Sequence, residues 1–166
     1  MRIIEGSVYI LGDDINTDDI VPSHTLTMRD SNEMAKYALE FIDPNFVQKS
    51  TKQKILIAGS NFGTGSSREE AVNVFKNLGI KAVIARSFAR IYFRNLINNG
   101  IPGITLNWKD TSFSDADFIK IDLNKGNIEN QTKNITLKFL KLPQFLTEII
   151  NEGGIIKKLQ KRLQVT

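Results

Sequence analysis

The sequence predicts an α/β fold, and three observations lead to that class. Short apolar segments such as Lys54–Ala58 and Ile80–Ala85 alternate with helical patterns through the middle of the chain, as strands and helices do around a parallel sheet. The chain has 166 residues, about the length of one domain. Its residues are 41% hydrophobic and 24% charged, so the chain can bury a core. We therefore expect one α/β domain over residues 1–166.

The charge and the residue types argue against several classes of function. Lys and Arg number 22 and Asp and Glu 18, a net charge of +4, and the basic residues form no long stripe of the kind that binds nucleic acid. No apolar run is long enough to span a membrane and no signal peptide is evident, so we expect a cytoplasmic protein with no membrane partner. The chain has no cysteine, which excludes disulfides, thiolate nucleophiles and a metal centre held by its own thiolates.

Two elements are predicted in the first third of the chain. Gly6–Leu11 has the pattern of a strand and leads into an acidic loop, Gly12–Ser23, that is rich in turn-forming residues. We expect a helix with Ser31 as its N-cap that ends before Pro44, because apolar residues recur there at the spacing of one helical face. Those apolar residues are Met34, Tyr37, Ala38 and Phe41.

The middle of the chain is predicted to contain strands joined by helices. A strand opens into a glycine-rich loop, Gly59–Glu70, and the helix that follows ends at Gly79. A second strand, a second helix and a third, short strand come next. The strands are Lys54–Ala58, Ile80–Ala85 and a segment near Ile104–Leu106, and the second helix is Phe88–Asn98.

The last third of the chain is predicted to hold a hairpin and two helical segments. Phe118–Leu123 and Asn134–Phe139 alternate apolar and polar residues, as hairpin strands do. Pro143 opens a helix that Gly153–Gly154 interrupts, and a basic amphipathic segment follows over Ile155–Leu163.

The glycine-rich loop is the main candidate for a binding site. Its glycines allow a sharp turn that leaves backbone N–H groups pointing outward. Ser66 and Ser67 are predicted at the helix N-cap, each with a glutamate three residues later that could complete a capping box. That arrangement would place both hydroxyls and Arg68 at the positive end of the helix dipole, where carboxylate or phosphate binds. The alternative is that the serines only cap the helix.

Other readings of the two loops are disfavoured. The glycine-rich loop lacks the lysine of a P-loop, which argues against nucleotide hydrolysis. The serine-hydrolase pattern Gly-x-Ser-x-Gly is absent, and His24 is the only histidine that could act as a base. The acidic loop carries four aspartates, but their spacing does not match a calcium loop, and solvated turn chemistry is favoured. The aspartates are Asp13, Asp14, Asp18 and Asp19.

Three ordered motifs resemble the small subunit of 3-isopropylmalate dehydratase: Gly12–Ile20, Asn61–Glu69 and Ser87–Asn95. The resemblance extends to Gly100–Pro102, Leu142–Phe145 and Gly153–Gly154, so it covers nearly the whole chain. It implies an α/β fold, the swivelling β/β/α three-layer domain of aconitase type. It also implies a partner large subunit that carries a 4Fe-4S cluster, with no cofactor bound by this chain alone. The lack of cysteine agrees with that division.

By the same resemblance, the reaction removes water from 2-isopropylmalate and adds it back to give 3-isopropylmalate, a step of leucine biosynthesis. Ser66 matches the family's catalytic base, and Asp18 matches an aspartate of the polar network around the reacting hydroxyl. Ser67 and Arg68 are expected to hold a carboxylate of the dicarboxylate substrate.

The resemblance assigns substrate choice to the segment after the acidic loop, where we expect Thr25, Leu26, Thr27 and Met28 to contact the substrate. Relatives often have Arg-Tyr-Leu here, so this chain departs from the family pattern. Leu26 and Met28 favour an apolar pocket and hence isopropylmalate over homoaconitate. Two alternatives stay open: a homoaconitase or methylmalate-type hydro-lyase small subunit, and a non-catalytic anion-binding module.

Overall fold

A seven-stranded mixed sheet forms the centre of the molecule in a computed structural model that describes residues 3–164. The strand order is β4-β3-β2-β1-β5-β6-β7. The strands are β1 (Ile3–Ile10), β2 (Gln53–Ala58), β3 (Ala82–Ala85), β4 (Gly103–Thr105), β5 (Phe118–Asp122), β6 (Asn127–Asn130) and β7 (Ile135–Lys138).

The sheet has a parallel half and an antiparallel half that meet at β1. In the parallel half, Ile55 of β2 pairs with Val8 of β1 on one side and with Ala82 of β3 on the other. On the opposite side of β1, Gly6 pairs with Ile119 of β5 in antiparallel register. The carboxyl ends of β1, β2 and β3 therefore open at one edge of the sheet, which is where ligands bind in sheets of this kind.

Helices cover the sheet on both faces. They are α1 (Thr17–Ile20), α2 (Ser31–Ala35), α3 (Phe46–Lys49), α4 (Glu70–Asn77), α5 (Arg90–Asn98), α6 (Gln144–Asn151) and α7 (Ile155–Gln164). None of the helices within residues 3–164 has the length and hydropathy needed to cross a membrane.

Two hydrophobic clusters fill the space on either side of the sheet. On one face, Leu56 and Val83 lie in a cluster with apolar residues of α1 to α5. On the other face, Ile57 and Ile84 lie in a cluster with Ile150 of α6 and with the segment between β4 and β5. β2 and β3 are thus covered on both faces, as their uninterrupted apolar sequences require. The predicted α/β class is confirmed.

The helix expected from Ser31 to Pro44 is much shorter than predicted. Asp30, rather than Ser31, caps α2, because its side chain accepts a hydrogen bond from the Asn32 amide. Leu39 adopts a left-handed backbone with φ of 55° and donates its N–H to Ile20, so the chain turns there and buries the leucine. Phe41, placed in the core by its spacing, is instead 72% exposed.

The two predicted hairpin strands exist as β5 and β7, but they do not pair with each other. β6 lies between them and pairs with both. β6 was not predicted because its sequence is mostly polar. In the structure Ile128 is fully buried and Asn130 is nearly so. The Asn130 amide group donates to the Ser112 carbonyl and to the Asp117 carboxylate, so burial of this polar side chain is compensated.

The predicted stops after α4 and α6 are confirmed. Gly79 follows α4 with φ of +72°, the left-handed conformation common after helices. α6 and α7 are separated by Gly153 and Gly154, and the end of α5 packs against that break. A Cβ on Gly154 would lie 2.6 Å from the carbonyl oxygen of Asn98, so the close approach requires glycine.

Candidate active site

The acidic loop and the glycine-rich loop lie side by side at the carboxyl edge of the sheet. Main-chain hydrogen bonds join them along their length, so the two loops hold each other in place. The bonds run from Gly59 N–H to Gly12 O (3.0 Å), Asp14 N–H to Ser60 O (2.8 Å), Gly63 N–H to Ile15 O (2.7 Å) and Thr17 N–H to Thr64 O (2.8 Å).

Two aspartates of the acidic loop fasten the glycine-rich loop. Asp13 Oδ1 accepts the Ser60 N–H at 2.6 Å, and a Cβ on Gly59 would come within 1.8 Å of that oxygen. Asp14 Oδ1 accepts a hydrogen bond from the Asn61 side chain at 2.8 Å. These carboxylates therefore act on the neighbouring loop, which is more than the local turn chemistry expected from the sequence.

Arg86, which sequence reasoning missed, supports the same loops from β3. Its Nη1 lies 3.8 Å from Asp13 Oδ1 and its Nη2 lies 2.7 Å from Asp110 Oδ1. The guanidinium stands 4.1 Å from the centre of the Trp108 ring, whose Nε1 donates to the Ala58 carbonyl. These contacts join residues distant in sequence, so no local pattern marks Arg86.

Gly63 lets the glycine-rich loop lie directly on the Tyr92 ring. Its φ is +82°, and a Cβ there would lie 2.2 Å from Cγ of Tyr92. Tyr92 is held in turn by donating its hydroxyl to the Ala71 carbonyl at 2.7 Å. Full burial raises the pKa of Tyr92 well above its ordinary value, so the phenol stays neutral as a structural donor.

The predicted capping boxes at Ser66 and Ser67 are wrong. The N-cap of α4 is Glu69, with helical backbone angles and no side-chain hydrogen bond to the cap. Both serines precede it, are exposed, and have no hydrogen-bond partner for their hydroxyls within residues 3–164. Because helix-dipole effects fall off within the first turn, Ser66 gains little from α4. The capping box in this region forms at α1, between Asn16 and Asp19.

Asp18 and Arg68, predicted in the same site, are in contact. Nη1 of Arg68 lies 2.7 Å from Oδ1 of Asp18, with the arginine side chain 22% exposed and the aspartate 60% exposed. That nitrogen is shielded from solvent, and its contact with Asp18 is an ion pair without hydrogen-bond geometry. The Thr17 hydroxyl also donates to the Ser66 carbonyl at 2.9 Å. The structure thus places Asp18 in contact with Arg68, and Thr17 in contact with the backbone of Ser66.

The four expected substrate contacts after the acidic loop lie in different surroundings. Thr25 is fully buried and donates its hydroxyl to the Pro22 carbonyl at 2.7 Å, so its side chain does not reach the surface in this structure. Leu26 and Thr27 are exposed, and Met28 is partly buried against the core. Leu26 and Thr27 are therefore the members of this group that a ligand could reach.

The donor set of this chain does not fit a 4Fe-4S cluster. Such clusters are held by thiolates, and the chain has no cysteine. No group of three or more His, Asp or Glu side chains within residues 3–164 is arranged to hold a metal ion.

Fold and site together define a domain of the aconitase superfamily: the family described as the aconitase C-terminal domain matches residues 10–110. The 3-isopropylmalate dehydratase small subunit of Methanosarcina acetivorans is 42% identical over 95% of this chain and 97% of its own length. The chain therefore belongs to the family of 3-isopropylmalate dehydratase small subunits.

Two further comparisons agree with that assignment. The small subunit of Nautilia profundicola is 43% identical over 99% of this chain and 98% of its own. The crystal structure of 3-isopropylmalate dehydratase from Methanocaldococcus jannaschii has a TM-score of 0.90 at 42% identity, covering 99% of this chain and 97% of that one. The aconitase-type fold expected from the sequence is confirmed.

Proposed function

We propose that this chain is the small subunit of a 3-isopropylmalate dehydratase, which converts 2-isopropylmalate to 3-isopropylmalate in leucine biosynthesis. The relatives that carry that name cover almost the entire chain. The observation that carries the proposal is the contact of Asp18 with Arg68 at the open edge of the sheet, beside the hydrogen bond from the Thr17 hydroxyl to the Ser66 carbonyl. These residues come from two loops that the main-chain ladder holds together.

Arg68 is proposed to bind a carboxylate of the substrate. Its planar guanidinium can donate two parallel hydrogen bonds to a carboxylate, and its side chain is 22% exposed. Ser67, exposed beside it, would add a hydroxyl hydrogen bond to the same group. Because Asp18 already contacts Arg68, the substrate must share the guanidinium with that carboxylate or displace it.

Ser66 is proposed to move the proton. Its side-chain oxygen, after losing its own proton to solvent, would take the proton from the carbon next to the bound carboxylate as the substrate hydroxyl leaves, and the serine hydroxyl so formed would return a proton when water adds back. A serine exposed to bulk water is a poor base, since the neutral hydroxyl does not take a proton from carbon and water screens the charge of Arg68 that would stabilise the alkoxide. Catalysis thus requires a second protein surface that closes over the loops and excludes water.

That second surface is proposed to be the large subunit, which would carry the 4Fe-4S cluster. This chain supplies no thiolate, so the cluster must be held elsewhere. The whole chain, residues 1–166, would then act as a single swivelling domain in the cytoplasm. Leu26, with Met28 behind it, would form the apolar part of the substrate pocket and favour isopropylmalate over homoaconitate.

The proposal is tested by combining this chain with a large subunit of the same family and measuring turnover. We expect conversion of 2-isopropylmalate through an alkene intermediate by the complex and none by this chain alone. Faster turnover of homoaconitate or methylmalate would reassign the substrate. Tight phosphate binding by the isolated chain, without turnover in any complex, would instead identify an anion-binding module.

A further inference from the structure

His24 ties the segment that carries Leu26 and Thr27 to the turns that follow α2. Its Nε2 contacts Oε1 of Glu40. Its ring stands edge-on to the Tyr37 ring, with centroids 5.4 Å apart, and 6.3 Å from the Phe41 ring. Tyr37 and Phe41, predicted on the apolar face of a longer helix, are exposed and lie beside this ring.

The segment is anchored by burial of Thr25 and Met28 but makes few hydrogen bonds to other parts of the described chain. Apart from the contact of His24 with Glu40, the hydrogen bonds of residues 23–28 within the described chain all stay between Pro22 and Met28. They include Thr25 N–H to Pro22 O and Met28 N–H to Thr25 O, both 2.9 Å. Met28 packs on the core at one end, but Leu26 and Thr27 project outward without such an anchor.

We propose that Glu40, acting through His24, is a positioning residue that fixes Leu26 and Thr27 and thereby the enzyme's choice among substrate side chains. The inference rests on the proposed function. Glu40 lies 16 residues from His24 and outside the three motifs that carry the family resemblance. A displaced Leu26 would leave a gap against an isopropyl group but matter little to a methyl group, so Glu40 acts on selectivity.

The pair is not expected to hold the fold together. The His24 and Glu40 side chains are 50% and 27% exposed, and polar contacts at such exposure contribute little to global stability. Loss of the contact should loosen residues 23–28 and leave the sheet and its clusters unchanged. This difference separates a positioning role from a structural one.

The test compares Glu40→Ala and Glu40→Gln with Glu33→Ala, a matched control. Glu33 lies on α2 and pairs with Lys36 at 2.7 Å, on the surface of the same part of the chain. In the isolated chain, Glu40→Ala should speed amide hydrogen exchange at Leu26 and Met28 several-fold. Glu33→Ala should not change exchange there, and Glu40→Gln, which keeps an oxygen acceptor, should lie between wild type and Glu40→Ala.

Kinetics of the reconstituted complex supply the second measurement. Glu40→Ala should raise the KM for 2-isopropylmalate several-fold, leave kcat nearly unchanged, and narrow the kcat/KM ratio between that substrate and its methyl analogue. Unchanged exchange, faster exchange throughout the chain, or unchanged selectivity would each overturn the inference. Inactivity of the wild-type complex on every tested dicarboxylate would overturn the proposed function instead, and the exchange result would still decide whether Glu40 fastens the segment.

Discussion

Arg68 and Asp18 form an ion pair across two loops, with Nη1 2.7 Å from Oδ1, although 50 residues separate them in sequence. In the isolated chain, the proposed carboxylate-binding group thus already faces a carboxylate. A substrate bound by this chain alone would compete with Asp18 in a solvent-exposed setting, where charge attraction is weak. This pairing agrees with a subunit that needs a partner before it holds its substrate.

Replacing Ser66 by alanine should nearly abolish turnover by the complex. A positioned general base contributes about 10²- to 10⁴-fold to rate, so kcat should fall by that order while KM changes little. The exposed hydroxyl makes no internal hydrogen bond, so the free energy of unfolding should stay at the wild-type value. Ser67→Ala is the matched control and should mainly raise KM. Wild-type kcat in Ser66→Ala would remove Ser66 from the base role.

Replacing Arg68 by lysine should weaken substrate binding more than it slows the chemical step. An ammonium keeps the charge but loses the planar fork that grips a carboxylate at two points. We expect KM to rise about tenfold or more, in line with the loss of one charge-assisted hydrogen bond. Steady-state kinetics with Arg162→Lys on the exposed face of α7 as control measure this. An unaltered KM in Arg68→Lys would count against the carboxylate clamp.

Replacing Gly63 by alanine should destabilise the fold. The new methyl group would meet Cγ of Tyr92 at 2.2 Å, and φ of +82° is unfavourable for alanine. Strain and overpacking together should cost about 2–4 kcal/mol of unfolding free energy, measured by urea denaturation. Gly12→Ala is the control, because a Cβ there meets nothing within 4 Å. Equal stability of the two variants would show that the Tyr92 contact is not tight.

The stability of the chain should depend on Asp43 at acid pH. Hydrogen bonds from Lys49, Tyr9 and the Asn45 amide lower the pKa of Asp43 from 3.8 to about 2. Because the folded pKa lies below the unfolded one, these bonds stabilise the fold above pH 3.8, and their contribution is lost as pH falls toward about 2. In Asp43→Asn, the free energy of unfolding should therefore change less with pH between about 2 and 3.8 than in wild type.

Tyr9→Phe provides the graded control for that pH dependence. It removes the 2.6 Å hydrogen bond to Asp43 but leaves the Lys49 bond in place. Thermal unfolding between pH 2 and 4 should place this variant between wild type and Asp43→Asn. Three superimposable curves would show that Asp43 does not contribute to acid unfolding.

The sequence predicted elements whose own residues determine their structure. Lys54–Ala58 is a strand because an uninterrupted apolar run can be covered on both faces, and Gly79 ends α4 because only glycine adopts that backbone cheaply. The end of α2 was not predicted. It depends on Leu39, which adopts a left-handed backbone and is completely buried. β6 was not predicted for a similar reason. Its Asn130 is buried because it bonds to Ser112 and Asp117, which lie on another segment.

In the candidate site, too, the sequence predicted local features and missed contacts between distant segments. Motif resemblance predicts that Asp18, Ser66 and Arg68 belong to one site; the structure shows the contact between Asp18 and Arg68, and the role of Ser66 stays a prediction. The capping boxes failed because a serine followed three residues later by glutamate also fits an extended turn that enters a helix without a side-chain cap. Arg86 and Glu40 were out of reach, since their contacts are made only after distant segments fold together.

The main-chain ladder between the acidic and glycine-rich loops has a consequence for motion. If the chain rotates against a companion protein, Gly12–Thr17 and Gly59–Thr64 move together, and they carry Asp18, Ser66 and Arg68 just beyond their ends. Docking on the companion protein then has to position one joined pair of loops. Release of product leaves the main-chain hydrogen bonds between the loops intact. If this rotation limits turnover, a cross-link that fixes the chain to the companion protein will lower kcat.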